Sequence, residues 1–135
     1  MENIVMQSWE ALPTVPLMPA GSVSADFLGR KIASYRDAGR HLHQLPYGRN
    51  KNLSDWRLVL SEGRGTCSTK HALLAELARE QGVAVALMLG LYEMSERNTP
   101  GIGAVLHRNG LDSIPEAHCY LMYERVRIDI TRFAV

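Results

Sequence analysis

The stretch GRGTCSTKHALLAELAREQG, residues 63–82, constrains the fold of this chain more than any other segment. Its leucines and alanines recur three or four residues apart, which is the spacing of one face of an α-helix, so we predict a helix over residues 67–81. Gly82 stands where a glycine usually ends a helix. A glycine-rich turn precedes the helix and places Cys67 at its N-terminus.

The segments before this helix are predicted to be an extended arm followed by further helices. Residues 1–21 are interrupted by prolines and are typical of an extended arm. Apolar residues at helical spacing predict a helix that begins at Ser22 or Ser24 and continues to Leu42. A short helix is expected after Ser54, which is a suitable N-cap residue.

The segments after the helix are predicted to be strands. Residues 83–92 form a continuous apolar run of strand length, which indicates a central strand buried on both faces. Residues 104–110 are expected to form a strand that ends in an Asn-Gly turn. Residues 117–123 and 126–130 are expected to pair as a β-hairpin. Helices therefore come first and strands second, which favours an α+β fold with N-terminal helices packed on a small antiparallel sheet.

Length and composition limit the classes of protein to which the chain can belong. A chain of 135 residues is expected to form a single domain, residues 1–135, without disulfide support. The formal net charge of +1 gives no indication of nucleic acid or of an anionic membrane as a partner. We expect no membrane span, because no apolar run is long enough. The two cysteines are too few for a disulfide scaffold, so we expect a reduced, cytoplasmic protein.

The position of Cys67 suits a nucleophile. A thiol attacks only as the thiolate, and the partial positive charge at a helix N-terminus favours that anion. The unpaired N–H groups there could also donate to the oxyanion that forms when Cys67 attacks a carbonyl. A buried cysteine that only packs remains the alternative at this point, so the assignment needs a base and a group that orients it.

The hairpin offers both groups. If its loop has two residues, Tyr123 faces Val126, and the alternation of side chains puts His118 and Asp129 on one face of the sheet. A carboxylate beside an imidazole fixes its tautomer and stabilises the imidazolium. His71, four residues after the cysteine, is a weaker candidate for the base because it is tied to the same turn of the helix.

A metal site is the second interpretation of the same residues. Two thiols and two imidazoles form a chemically adequate zinc set, namely Cys67, His71, His118 and Cys119. Their spacing does not fit the usual cysteine or histidine pairs of zinc sites, and adjacent residues of one strand point to opposite faces. We therefore predict neither a metal nor a cofactor.

Two segments resemble the transglutaminase-like superfamily. GRGTCSTKHALLAELAREQGVAVALMLGLY is similar to the segment of that family that carries the nucleophile, and EAHCYLMYERVRIDIT is similar to its second motif, in which a histidine begins one strand and an aspartate closes the next. The resemblance implies a papain-like α+β core and a triad of Cys67, His118 and Asp129. The proline that often follows the aspartate is Ile130 here, and the flanking β-domains of animal transglutaminases are absent from this sequence.

This resemblance implies a cysteine hydrolase or acyltransferase that acts on a peptide or amide carbonyl through a thioester. A binding or structural module that keeps the fold without turnover is the alternative. The second donor to the oxyanion is not identified by the sequence, where Tyr47, Asn50 and Trp56 are the candidates. The substrate, the choice between hydrolysis and acyl transfer, and the oligomeric state also stay open.

Overall fold

A computed structural model describes residues 6–52, 54–97 and 100–131. Residues 1–5 of the predicted arm lie outside these ranges. Within them the fold is mixed α and β, with five α-helices and three strands. The helices are α1 (Ser22–Gly29), α2 (Tyr35–Gln44), α3 (Leu58–Glu62), α4 (Cys67–Gln81) and α5 (Gly103–Arg108), and the strands are β1 (Ala86–Met94), β2 (Ile114–Tyr123) and β3 (Val126–Ile128). None of the helices in the described part of the chain is long and apolar enough to cross a membrane.

Contacts within the chain define two compact units. The first comprises the chain up to Met88 and again from Cys119, and it contains α1 to α4 and β3. The second is Leu89–His118, and it contains α5, whose Leu106 is buried. The strands follow the order β1-β2-β3 in one sheet, so β1 and β2 each contribute residues to both units.

The hydrophobic core belongs to the first unit, and α4 crosses it. Leu74 and Leu77 of α4 are fully buried, as is Leu42 of α2. The hydroxyl of Tyr35 donates to the carbonyl of Leu74 at 2.9 Å, which gives this buried polar group a partner. The other core residues are Leu12, Leu17, Val23, Phe27, Ala38, Val59, Leu60, Leu73, Ala78, Leu121, Ile128 and Ile130.

The predicted helix over residues 67–81 is confirmed at both ends. The structure gives α4 these bounds, with Thr66 as the N-cap residue. Gly82 adopts the left-handed conformation at φ 68°, where a glycine costs little.

The single helix predicted from Ser22 to Leu42 is wrong, because the chain forms α1 and α2 with a break between them. Lys31 adopts a left-handed conformation at φ 64°, and the Ile32 N–H donates to the Phe27 carbonyl at 3.0 Å. This hydrogen bond ends α1 in a Schellman motif. Ser34 then caps α2 by accepting from the Asp37 N–H at 3.1 Å. Gly29 is the last residue of α1, but the left-handed position falls on Lys31 and not on a glycine, so the sequence conceals the break.

The strand predicted over residues 104–110 is also wrong. These residues lie largely in α5, and Gly110 is left-handed at φ 69°. The Leu111 N–H donates to the Leu106 carbonyl at 2.8 Å, which is again the Schellman pattern. The Asn109-Gly110 pair therefore ends a helix and does not form a hairpin turn.

The apolar strand is present but is not buried on both faces. It runs as β1 at one edge of the sheet that the described residues form, where its neighbour is β2. Leu87, Leu89 and Leu91 alternate along it and are 45%, 69% and 79% exposed. An apolar run predicts a strand here, but it does not reveal the position of that strand in the sheet.

The predicted register of the hairpin is confirmed over residues 121–128, but β3 ends at Ile128 and not at the predicted residue 130. Tyr123 pairs with Val126 and Leu121 with Ile128, in antiparallel orientation. The two loop residues, Glu124 and Arg125, both have positive φ, as a type I′ turn requires.

A carboxylate of α4 caps the N-terminus of α1, whose own N-cap is Gly21. Glu80 accepts from the Ser24 hydroxyl at 2.6 Å, the Ser24 N–H at 2.8 Å and the Val23 N–H at 3.2 Å. Burial raises the pKa of Glu80, but these hydrogen bonds together lower it by a larger amount. The net pKa of Glu80 therefore lies below the ordinary value of 4.5. The capping contact therefore depends on the ionised carboxylate.

Replacing Glu80 with alanine is expected to lower the free energy of unfolding near neutral pH by about 1–2 kcal/mol, because the first N–H groups of α1 lose their acceptor. The pKa of Glu80 is lower in the folded state, so its contribution is present above the ordinary carboxyl pKa and is lost as the pH falls through the folded value. Urea unfolding near pH 7 and again in acid measures both effects. Glu76→Ala, which removes an exposed pair with Arg79, is the control and is expected to change stability less. An equal loss for the two variants would contradict the capping role.

Candidate functional site

Cys67 is the first residue of α4 and is half-buried. A capping box fixes this helix end, in which the Thr69 N–H donates to the Thr66 hydroxyl at 3.3 Å and the Thr66 N–H donates to the Thr69 hydroxyl at 2.9 Å. Both threonines are buried, so the start of the helix is rigidly defined. A thiol at such a position experiences the positive end of the helix dipole.

The loop of residues 46–52 packs against the turn that precedes Cys67. The Gly48 N–H donates to the Gly65 carbonyl at 3.1 Å, and the Gly65 N–H donates to the Pro46 carbonyl at 3.3 Å. A side chain at Gly65 would collide with Lys70, because an added Cβ would lie 2.9 Å from its Cγ. This close approach explains Gly65, the second glycine of the GRGTC stretch.

Lys70, one turn into α4, joins this helix to the C-terminal end of α2. Its side chain is fully buried, and its ammonium donates to the Leu45 carbonyl at 2.6 Å. This carbonyl follows the last residue of α2, so the hydrogen bond joins the end of one helix to the start of the other. No spacing in the sequence marks Lys70 as buried, and buried lysines are rare.

The three candidates for the second oxyanion donor differ in the contacts that their residues make. Asn50 is only 5% exposed, and its amide nitrogen donates to the Glu62 carboxylate at 3.0 Å and to the Arg64 carbonyl at 2.8 Å. These bonds assign Asn50 a structural role in the loop. The ring of Trp56 stacks with the Arg57 guanidinium. Tyr47 is 39% exposed and pairs with Gly65 in a short parallel bridge, two residues from the cysteine.

His71 is fully buried and both of its ring nitrogens are engaged. Nε2 accepts from the Ile130 N–H at 2.9 Å, and Nδ1 lies 2.7 Å from the Cys67 carbonyl. Because Nε2 is an acceptor, the proton lies on Nδ1 and the ring is neutral. His71 therefore joins the first turn of α4 to the chain just after β3, and it is a positioning residue.

Asp129 lies immediately after β3 and is half-buried. Its Oδ1 accepts from the Thr131 N–H at 2.8 Å and lies 3.6 Å from His71 Nε2. The second distance is a close contact and not a hydrogen bond, since Nε2 carries no proton. The Asp129 N–H donates to the Gln7 carbonyl at 2.9 Å, which holds the backbone in place.

Two of the three predicted triad residues contact the His71 ring, Cys67 through its backbone carbonyl and Asp129 through its carboxylate. Cys67 and Asp129 both belong to the first unit and lie on opposite sides of the His71 ring. His118 belongs to the second unit, where it is a half-buried residue of β2. Its role as the base stays a prediction.

Cys119 also lies beside the start of α4. Its thiol donates to the Ser68 hydroxyl with an Sγ–Oγ distance of 3.9 Å. Ser68 is the residue after Cys67, so both thiols of the chain meet at one helix end.

Other kinds of site receive less support. Among residues 6–52, 54–97 and 100–131, no group of three or more histidine, cysteine and acidic side chains could hold a metal ion. One cavity of about 120 Å³ contains none of the predicted site residues and is lined by Ser22, Val23, Asp26, Arg57, Leu60 and Leu73.

No protein-family model, no curated protein and no solved structure matches this chain. The functional interpretation therefore depends on the chemistry of the site itself.

Proposed function

We propose that the protein is a transglutaminase-like cysteine hydrolase or acyltransferase, in which Cys67 attacks a peptide or amide carbonyl to form a thioester. The observation that carries this proposal is the placement of a half-buried thiol at the first position of α4, on a helix end fixed by a capping box. Such a position favours the thiolate, and the backbone N–H groups of a first helical turn can donate to an oxyanion. A papain-like core is part of the proposal, and the mixed α and β fold is compatible with it.

In the proposed reaction His118 takes the proton of Cys67 as the sulfur attacks the carbonyl carbon. The tetrahedral oxyanion then collapses, the amine leaves with the proton from His118, and the acyl group remains on sulfur as a thioester. Water or a second amine attacks the thioester and regenerates the thiol. Asp129 has the role of orienting His118 and stabilising its imidazolium form.

His71 supports this arrangement but does not replace the base. Its ring is fully buried and its two nitrogens are engaged with the backbone of Cys67 and Ile130. A general base must reach the proton that it abstracts, and a nitrogen already bonded to a backbone group is not available for that task. The chemical role of His71 is to fix the backbone that carries the nucleophile.

An acyl-enzyme trap tests the proposed function. Incubation with p-nitrophenyl acetate is expected to add one acetyl group to Cys67, which intact-mass and peptide-mass measurements locate and hydroxylamine removes. Cys119→Ser is the matched control, because it removes the other thiol and should leave acylation of Cys67 unchanged. Cys67→Ala should lose the adduct.

The same trap distinguishes the proposal from a silent binding or structural module. In that case Cys67 would acylate no faster than a thiol of the unfolded protein in urea at the same pH. Such a result would overturn the enzymatic function.

A further inference from the structure

The two cysteines form a pair at the N-terminus of α4. Cys119 Sγ lies 3.9 Å from Ser68 Oγ. Cys67 is the residue directly before Ser68, and the Cα atoms of adjacent residues are about 3.8 Å apart, so Cys67 is next in the chain to the residue that Cys119 contacts. Both thiols belong to the first unit, both are half-buried, and neither is in a disulfide. A second thiol beside the first turn of the helix that carries Cys67 suits the resolution of an oxidised cysteine.

The surroundings give the two thiols different chemical roles. Burial raises the pKa of Cys119, the Ser68 hydrogen bond partly offsets this rise, and the charge and hydrogen bond of Cys67 raise it further. Cys119 therefore stays protonated to higher pH, whereas Cys67 has the helix position that favours a thiolate. The thiolate is the form that reacts with peroxide, so Cys67 is the thiol that is oxidised first.

We propose that Cys67 and Cys119 form a reversible intramolecular disulfide on exposure to hydrogen peroxide. The Cys67 thiolate attacks one peroxide oxygen, an S–O bond forms, the O–O bond breaks, and hydroxide leaves to become water. The Cys119 sulfur then attacks the sulfenic sulfur of Cys67, the S–S bond forms, and the S–O bond breaks with release of a second water. Two thiols lose two electrons in total, and one peroxide is reduced to two waters.

One consequence rests on the proposed function. The disulfide removes the thiolate of Cys67, so it switches off acyl transfer, and it protects the sulfur from irreversible oxidation to sulfinic acid. Reduction by dithiothreitol restores the thiol by exchange. Formation of the disulfide itself does not depend on whether Cys67 has a substrate.

The test is treatment of the reduced full chain with hydrogen peroxide near neutral pH. We expect the intact mass to fall by two hydrogen atoms, a linked peptide of Cys67 and Cys119 to appear, and dithiothreitol to reverse both changes. In Cys119→Ser we expect dimedone to trap a sulfenic acid on Cys67, followed by sulfinic acid at higher peroxide. In Cys67→Ser, Cys119 should stay reduced under the same conditions.

Two results would overturn this inference. One is accumulation of sulfinic acid on Cys67 at the same rate in the unmodified chain and in Cys119→Ser. The other is a disulfide found only between two chains. Failure of the acyl-enzyme trap alongside a normal intramolecular disulfide would reject the proposed function and leave the thiol pair intact, so the two proposals fail separately.

Discussion

Replacing His71 with leucine is expected to lower the free energy of unfolding by about 2–4 kcal/mol. The ring is fully buried, and leucine can neither accept from the Ile130 N–H nor donate to the Cys67 carbonyl. The carbonyl keeps its helical partner, but a buried N–H without an acceptor costs about 1–3 kcal/mol, and imperfect packing adds to this loss. Since domains are stable by only about 5–15 kcal/mol, the change should be large in urea unfolding followed by circular dichroism.

His107→Leu provides the matched control for this prediction. His107 lies on α5 and is exposed, so the same substitution should leave stability almost unchanged. His71 contacts the N–H of Ile130, and His43 Nδ1 lies 3.2 Å from the carbonyl oxygen of the same residue. His43→Leu therefore tests the contact at that carbonyl. A loss below about 0.5 kcal/mol for His71→Leu, which is the usual range for surface substitutions, would show that His71 does not hold the segment after β3 to α4.

Replacing His118 with alanine is expected to slow acylation of Cys67 by about 10²–10⁴-fold near neutral pH, the usual contribution of a general base. Asp129→Asn should slow it as well, since the amide keeps an oxygen for the Thr131 N–H but removes the charge that stabilises the imidazolium. Stopped-flow release of p-nitrophenol measures the acylation rate. The unfolding free energy of each variant shows whether the fold is retained.

The acylation rates of the two single variants and of their combination show whether Asp129 acts through His118. If both are slower and remain folded, their combination should cost little more than His118→Ala alone, because Asp129 acts through His118. An unchanged acylation rate in folded His118→Ala would reject His118 as the base.

Local signals in the sequence were enough to predict α4 and the hairpin. The apolar spacing of residues 67–81 and the glycine at position 82 fix both ends of the helix within the segment itself. The alternation of residues 117–130 fixes the register, because a slip by one residue would exchange the two faces of the strands. The placement of Cys67 depends on the first of these features, the helix.

The remaining features either have an ambiguous local signal or depend on contacts that are distant in the sequence. Lys31 ends α1 in a conformation that the sequence usually marks with glycine, and Asn109-Gly110 occurs in both hairpins and helix ends. The contact of His71 with Ile130 spans 59 residues, and no pattern in a single sequence reveals it. Only the spacing of four residues between Cys67 and His71 indicated that the two belong to one helix face.

The central claim is that Cys67 is an activated nucleophile whose base is His118. The most direct measurement is the pH dependence of its alkylation by iodoacetamide in the Cys119→Ser background, with and without His118→Ala. We predict a midpoint well below the ordinary thiol pKa of about 8.5, and a shift to higher pH when His118 is removed. A midpoint at the ordinary thiol value that His118→Ala does not move would contradict the account.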